Sequence, residues 1–190
     1  MPSRQPPRTE FDLGPPLANR PANSPAVDVR ISDITAPSWI DHSSMYYRLA
    51  YRSAANPLPY AHSEWVMSPA ALLTQRLRSS LSDSSDGTIR EVGTRVANVY
   101  TLRSELAEFE QVFDQPDRSH GVIRLRVTLE GEGVWAQRTF VVEKPAPSAN
   151  ATGGVSALTE CSDELATSIA AWLAGVQSNT PILKSALRGP

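Results

Sequence analysis

The stretch YTLRSELAEFEQVFD, Tyr100 to Asp114, decides the fold of this 190-residue chain. Leu102, Leu106, Phe109 and Phe113 are spaced like one face of a helix, and the glutamates between them suit a helix as well. Periodicity alone therefore predicts a helix. A hairpin follows it in the chain.

That hairpin is the plainest signal in the sequence. In GVIRLRVTLEGEGVWAQRTFVVE, Ile123, Leu125, Val127 and Leu129 alternate with Arg124, Arg126 and Thr128, EGEG turns the chain, and Phe140 and Val142 return on one face. Beyond it, PAPSANATGG reads as a loop with a glycine hinge, and a helix is expected from about Val155 to Val176. Leu158, Cys161, Leu165, Ile169 and Trp172 form its apolar stripe, continued by Leu173 and Val176, while Glu160, Asp163 and Glu164 favour its N-terminal half.

Upstream, Val27, Val29 and Ile31 alternate as a strand does, and a second strand is expected from Met45 to Tyr51. Asn56-Pro57 and Pro59 predict that only a short edge piece survives around Tyr60. Ser68-Pro69 is a helix start: the serine oxygen can accept an orphan N–H, and proline at the first helical position lacks a donor that would go unused. This helix should run to about Ser82, with Ala70, Leu73, Leu77 and Leu81 on one stripe and Arg76 and Arg78 off it. Residues 1–26 hold seven prolines and few large apolar side chains, so they read as a tether in which FDLG could dock on the body; 27–177 form the domain and 178–190 a polar tail. The short connections favour an α+β fold: a single domain whose mixed, mostly antiparallel sheet carries two main helices on one face.

A formal net charge of -2 with 20% charged residues supplies no field for nucleic acid or an anionic surface, so no nucleic-acid partner is expected. A lone cysteine, Cys161, rules out an internal disulfide. His42, His62 and His120 lack partners at ligand spacing, so neither a metal site nor a cofactor is expected. No G-x-S-x-G elbow is present, and Gly153-Gly154 matches neither phosphate-loop pattern, leaving no catalytic residues to name. Cys161, on an apolar stripe beside carboxylates, is read as a small core residue, since burial disfavours the thiolate. Asn150-Ala-Thr152 fits a glycan acceptor but is a triplet common by chance.

The aromatics carry more. Trp39, Tyr46, Tyr47, Tyr51, Tyr60 and Trp65 gather in 27 residues, and alternation puts Tyr47 and Tyr51 on one side of a strand with Tyr46 on the other. One set is expected in the core, the other on a face for a partner or ligand.

The segments WIDHSSMYYRLAY, EWVMSPAALLTQRLRSSL, LRSELAEFEQVFD and QRTFVVEKPAPSANATGGVSALTECSDELATSIAAWL together resemble the ABC-type transport auxiliary lipoprotein family, which includes the paraquat-inducible protein C lipoproteins. The similarity spans Phe11 to Leu173. It implies a non-enzymatic periplasmic domain of Gram-negative bacteria, tethered by an N-terminal lipidated cysteine, usually to the outer membrane. It also implies partners: an ABC transporter permease and ATPase with a membrane-anchored MCE (mammalian cell entry) protein that moves phospholipid or other hydrophobic molecules, and a homo-oligomer in the assembled system. No cysteine stands near the N-terminus, and the expectation is that Met1 replaces the anchor in a soluble form. The alternative function is a periplasmic domain that binds a hydrophobic ligand in a groove beside Tyr47. Finally, the resemblance implies a long, bent strand at 100–114, against the periodicity, and strand is the expectation adopted.

Overall fold

The computed structural model of the protein describes residues 8–15, 29–84, 100–131 and 134–179. Most of the proline-rich tether, Val27, the end of EGEG and the polar tail lie outside them. In chain order the described elements are β1 (Thr9–Phe11), β2 (Val29–Ile31), β3 (Ser44–Leu49), β4 (Pro57–Trp65), α1 (Pro69–Ser84), β5 (Tyr100–Gln115), β6 (Arg118–Gly131), β7 (Val134–Pro145) and α2 (Ala151–Asn179). The strands form one seven-stranded mixed sheet in the order β1-β4-β3-β5-β6-β7, with β2 also on β5. The result is a single α+β domain.

The helix-like spacing of 100–114 belongs to a bulged strand. Along β5, Tyr100, Leu102, Ser104 and Leu106 are buried in strict alternation; Ala107 is then an extra residue against β6, because Leu106 pairs with Leu125 and Glu108 with Arg124. After that shift the buried set continues at Phe109, Gln111 and Phe113. Two alternating stretches joined by one bulge thus give steps of four, three and four, the same steps a helix face would show. What separates the two outcomes is pairing: β5 runs antiparallel to β6 over nearly its whole length, and parallel to β2 and β3 on its other side.

Two other expectations change, and one side chain gains a role. The second strand ends at Leu49 because the N–H groups of Arg52 and Ser53 both donate to the Leu49 carbonyl at 2.9 Å and turn the chain, which leaves Tyr51 in the turn. β4 is a full nine-residue strand rather than a short piece around Tyr60. Pro57 and Pro59 sit in the half that pairs with β3 alone, while β1 covers only Ser63 to Trp65, so their missing donors leave no neighbouring strand short. Arg76 stands off the leucine stripe of α1, as expected, but not in solvent. It is buried, its Nη1 donates to the Gly14 carbonyl at 2.8 Å, and its Nε lies 2.8 Å from Asp163 on α2.

Helix α1 begins as its sequence dictates, the Ala71 N–H approaching Ser68 Oγ at 3.4 Å and the Leu72 N–H donating to the Ser68 carbonyl. Its Leu73, Leu77 and Leu81 join Leu158, Cys161, Leu165 and Ile169 of α2 and Leu102, Ile123, Leu125 and Val127 of the sheet in one core. Each buried leucine contributes about 1.5–3 kcal/mol, which fixes both helices on the same face. At the N-terminal end, Gly14 takes a left-handed φ of 64°, Leu13 is buried, and the Phe11 carbonyl accepts the Val66 N–H at 2.9 Å.

Candidate functional site

The six aromatics divide among four settings. Trp65 belongs to the core, 2% exposed and edge-on to Phe109 at 5.4 Å, so it presents nothing to a partner. Tyr47 and Tyr60 meet at 4.6 Å on the helix-covered face, where Phe113 closes against Tyr47 at 5.7 Å. The Tyr60 hydroxyl donates to Gln111 Oε1 at 2.7 Å, and Gln111 Nε2 donates to Ser119 Oγ at 2.8 Å. Burial drives the Tyr60 hydroxyl far above its ordinary pKa, with Tyr47 adding to the effect, so it acts only as a neutral donor. Rings and hydrogen bonds therefore fill the side of Tyr47.

Tyr46 points the other way. Its ring meets Trp39 at 5.6 Å and His42 at 5.6 Å on the face opposite the helices. Trp39 is 36% exposed. Tyr51 sits apart in the β3–β4 turn beneath the Arg52 guanidinium at 5.8 Å.

The loop that presents Trp39 also contributes Thr35, Ala36 and Pro37 to a concave site of about 320 Å³, whose other walls are Glu105, Leu106, Ala107, Arg124, Arg126 and Thr139. The β5 bulge creates this hollow, since Ala107 is the extra residue. Around it the open face carries cross-strand ion pairs: Arg124 with Glu108 at 3.1 Å, Arg126 with Glu105 at 3.4 Å and Arg103 with Glu130 at 3.0 Å. These exposed pairs contribute little to stability, about 0–1 kcal/mol each, but they set a polar, charge-balanced surface. On the same face, along β7, Trp135 is 67% and Val141 44% exposed. Neither was singled out from sequence, where both read as ordinary strand residues; their place on the face of β7 away from the helices is what uncovers them.

Glu110 is the buried charge of this face. Arg48 holds its Oε1 at 2.8 Å and also donates to the Ala54 carbonyl at 2.6 Å, while Glu110 Oε2 has no hydrogen-bond partner among the described residues. Burial raises the Glu110 pKa, opposed by Arg48 and aided by Glu108.

The PAPSANATGG stretch is not a hinge. Helix α2 already starts at Ala151, capped by Asn150, whose side-chain oxygen accepts the Gly153 N–H at 3.0 Å and whose carbonyl accepts the Gly154 N–H. The glycines are there for space: a Cβ on Gly153 would stand 2.0 Å from the Ser148 carbonyl oxygen, and one on Gly154 would stand 2.1 Å from Gln111 Oε1. Of the stripe, Leu158, Cys161, Leu165 and Ile169 are buried, and Trp172 is half-buried, edge-on to Phe140 at 6.0 Å. Burial pushes the Cys161 thiol up to about 12, and its Sγ faces the Gly121 carbonyl at 3.4 Å. No group of three or more His, Cys, Asp or Glu among the described residues could hold a metal ion, and no described helix is long and apolar enough to cross a membrane. His42 accepts the Ser44 N–H through Nδ1, and His120 Nδ1 lies 3.1 Å from Asp114.

Residues 11–170 match the model of a family described as the ABC-type transport auxiliary lipoprotein component. Among solved structures, one from Xanthomonas campestris, of a domain family of unknown function (DUF330), shares the fold with a TM-score of 0.77 at 17% identity, covering 90% of this chain and 97% of that one. A second, described as an uncharacterized protein, has a TM-score of 0.71 at 15% identity over 88% of this chain and 99% of its own. No curated protein matches the chain significantly. With the family model spanning most of the sequence, the chain belongs to the ABC-type transport auxiliary lipoprotein component family, an association that suggests a cell-envelope location.

Proposed function

We propose that this domain is a non-enzymatic periplasmic accessory lipoprotein, held at the outer membrane by an N-terminal lipid, that docks on the MCE protein of an ABC-type system moving phospholipid or another hydrophobic substrate between membranes. The observation that supports docking is the asymmetry of the sheet. One face is sealed by α1 and α2, while the other carries no helix among the described residues and offers Trp39 and Tyr46 at one side, Val141 and Trp135 at the other, and the 320 Å³ hollow between Pro37 and Thr139. Exposed aromatics within a charge-balanced polar surround are the composition of a protein interface, where tryptophan and tyrosine carry much of the affinity. The groove expected beside Tyr47 is occupied by Tyr60 and Phe113, which speaks for docking over a carrier role. Tunnel formation by several copies would use the same exposed face.

The test is co-purification of the lipidated protein from envelope membranes with the MCE component encoded beside it. Association that disappears in a Trp39→Ala, Tyr46→Ala double variant of unchanged thermal stability is the expected result. A variant that co-purifies as well as the wild type would remove this face from the interface. Native mass spectrometry of the purified domain should find no bound lipid; a stoichiometric lipid would support the carrier reading instead.

A further inference from the structure

The two ends of the sheet are treated differently. At the β1/β4 end, β1 has three residues, Pro57 and Pro59 interrupt the uncovered half of β4, and Arg8 pairs with Glu64 at 2.9 Å beside the covered half. Such devices prevent another chain from adding to an edge. At the other end, β7 runs twelve residues and pairs with β6 from Gly131–Val134 to His120–Pro145 without a register shift, in contrast to the two shifts between β5 and β6. Proline appears in β7 only at its last position, Pro145. In an antiparallel pair, alternate residues turn their N–H and C=O away from the partner, so about half of the β7 backbone faces outward. Among the described residues no strand and no backbone hydrogen bond meets that side.

Side chains specify what fits there. The open-face row of β7 includes the exposed Trp135 and Val141, and the helix-side row includes Ala136, Arg138, Phe140, Val142 and Lys144. Lys144 is held by Glu164 of α2. Arg138 is exposed, lies 5.1 Å over the Phe140 ring, and has no carboxylate partner among the described residues. We propose that the free edge of β7 accepts an extended, acidic segment of a second protein as an eighth strand, with apolar side chains beside Trp135 and Val141 and a carboxylate opposite Arg138. A second copy of this chain fits less well. Antiparallel β7–β7 pairing that kept both helix layers on one side would set Arg138 and Lys144 opposite each other or opposite apolar residues, never opposite a carboxylate. This inference goes beyond the docking reading and holds whatever the partner's identity, because it rests on the edge alone.

The probe is a fluorescein-labelled nine-residue peptide alternating valine and glutamate, titrated against the full chain by anisotropy, with amide hydrogen exchange read along 134–145. Binding is expected with slowed exchange at the outward amides of β7. Methylating alternate peptide nitrogens on one edge should weaken binding at least tenfold, since strand addition depends on backbone donors. Arg138→Glu should weaken it by a similar factor while leaving circular dichroism unchanged, and a valine–lysine peptide should not bind the wild type. No binding, protection away from β7, or equal binding of the methylated peptide would overturn the proposal. A concentration-dependent dimer that protects β7 without peptide would overturn it too, by making a second copy the occupant.

Discussion

The two faces of the sheet use their large side chains for opposite purposes. On the covered face, Leu102, Leu106, Phe109, Ile123 and Leu125 meet the leucines of α1 and α2, and Tyr60, Gln111 and Ser119 hydrogen-bond to one another within the domain. On the open face, arginines and glutamates pair across strands at the surface, and tryptophans are left uncovered. The difference teaches that burial follows from where the helices lie, not from the hydrophobicity of a strand: Trp65 and Trp135 are both strand tryptophans, one 2% and the other 67% exposed. Substitutions on the covered face should therefore act on stability, and those on the open face on binding.

The largest effect is expected at Leu165, which is fully buried. Leu165→Ala should cost about 2–5 kcal/mol in urea unfolding. Next comes Arg76→Met, which leaves Asp163 without its cation and frees the Gly14 carbonyl; breaking a buried pair costs about 3–5 kcal/mol, and the partial exposure of Asp163 places this one near or below the lower end. Faster amide exchange across Thr9–Leu13 should accompany it, because the first strand is pinned by the same guanidinium. An unchanged exchange rate there would show that β1 is held by its β4 pairing alone.

Glu110 lies between the two classes, an open-face residue that is buried. Its folded pKa is raised, so the folded state holds the proton more tightly than the unfolded chain, and the associated stability is present below the unfolded glutamate pKa and lost as pH rises through the folded one. Lowering the pH from 7 toward 5 should accordingly raise the Tm of the wild type relative to Glu110→Gln. A pH-independent difference would mean that the Arg48 contact outweighs burial. The smallest stability effect is expected for Trp135→Ala, within about 0.5 kcal/mol, as for surface substitutions in general. Cys161 offers a check on the covered face: with its thiol near 12 and buried, labelling at pH 8 should proceed only as fast as the protein opens.

Much of this arrangement was legible in the sequence. The β6–β7 alternation, the Ser68-Pro69 cap and the α2 stripe each rest on a local rule, and each local rule was obeyed. Where reading failed, a non-local term had entered. The spacing of Leu102, Leu106, Phe109 and Phe113 resembled a helix because a bulge at Ala107 shifts alternation by one residue, so the strand adopted there, which is observed, came from the family resemblance and not from spacing. Gly153 and Gly154 suggested a hinge because the groups that require their small size, Ser148 and Gln111, are identified by the fold. The sequence placed Arg76 off the leucine stripe of α1 but gave no partner for it, because Asp163 and Gly14 are brought to it by the fold. The aromatic cluster was visible as composition, but its division between core and open face depends on which side the helices cover.

The most direct test of the central claim, that the open face docks and the covered face only supports, is site-specific photocrosslinking in intact envelopes. A photoreactive side chain at Trp39 or Tyr46 is compared with one at Thr167, exposed on the outer side of α2. Adducts with the proposed MCE partner from positions 39 and 46, and none from position 167, are the predicted result. Adducts from position 167 with none from the open face would contradict the account.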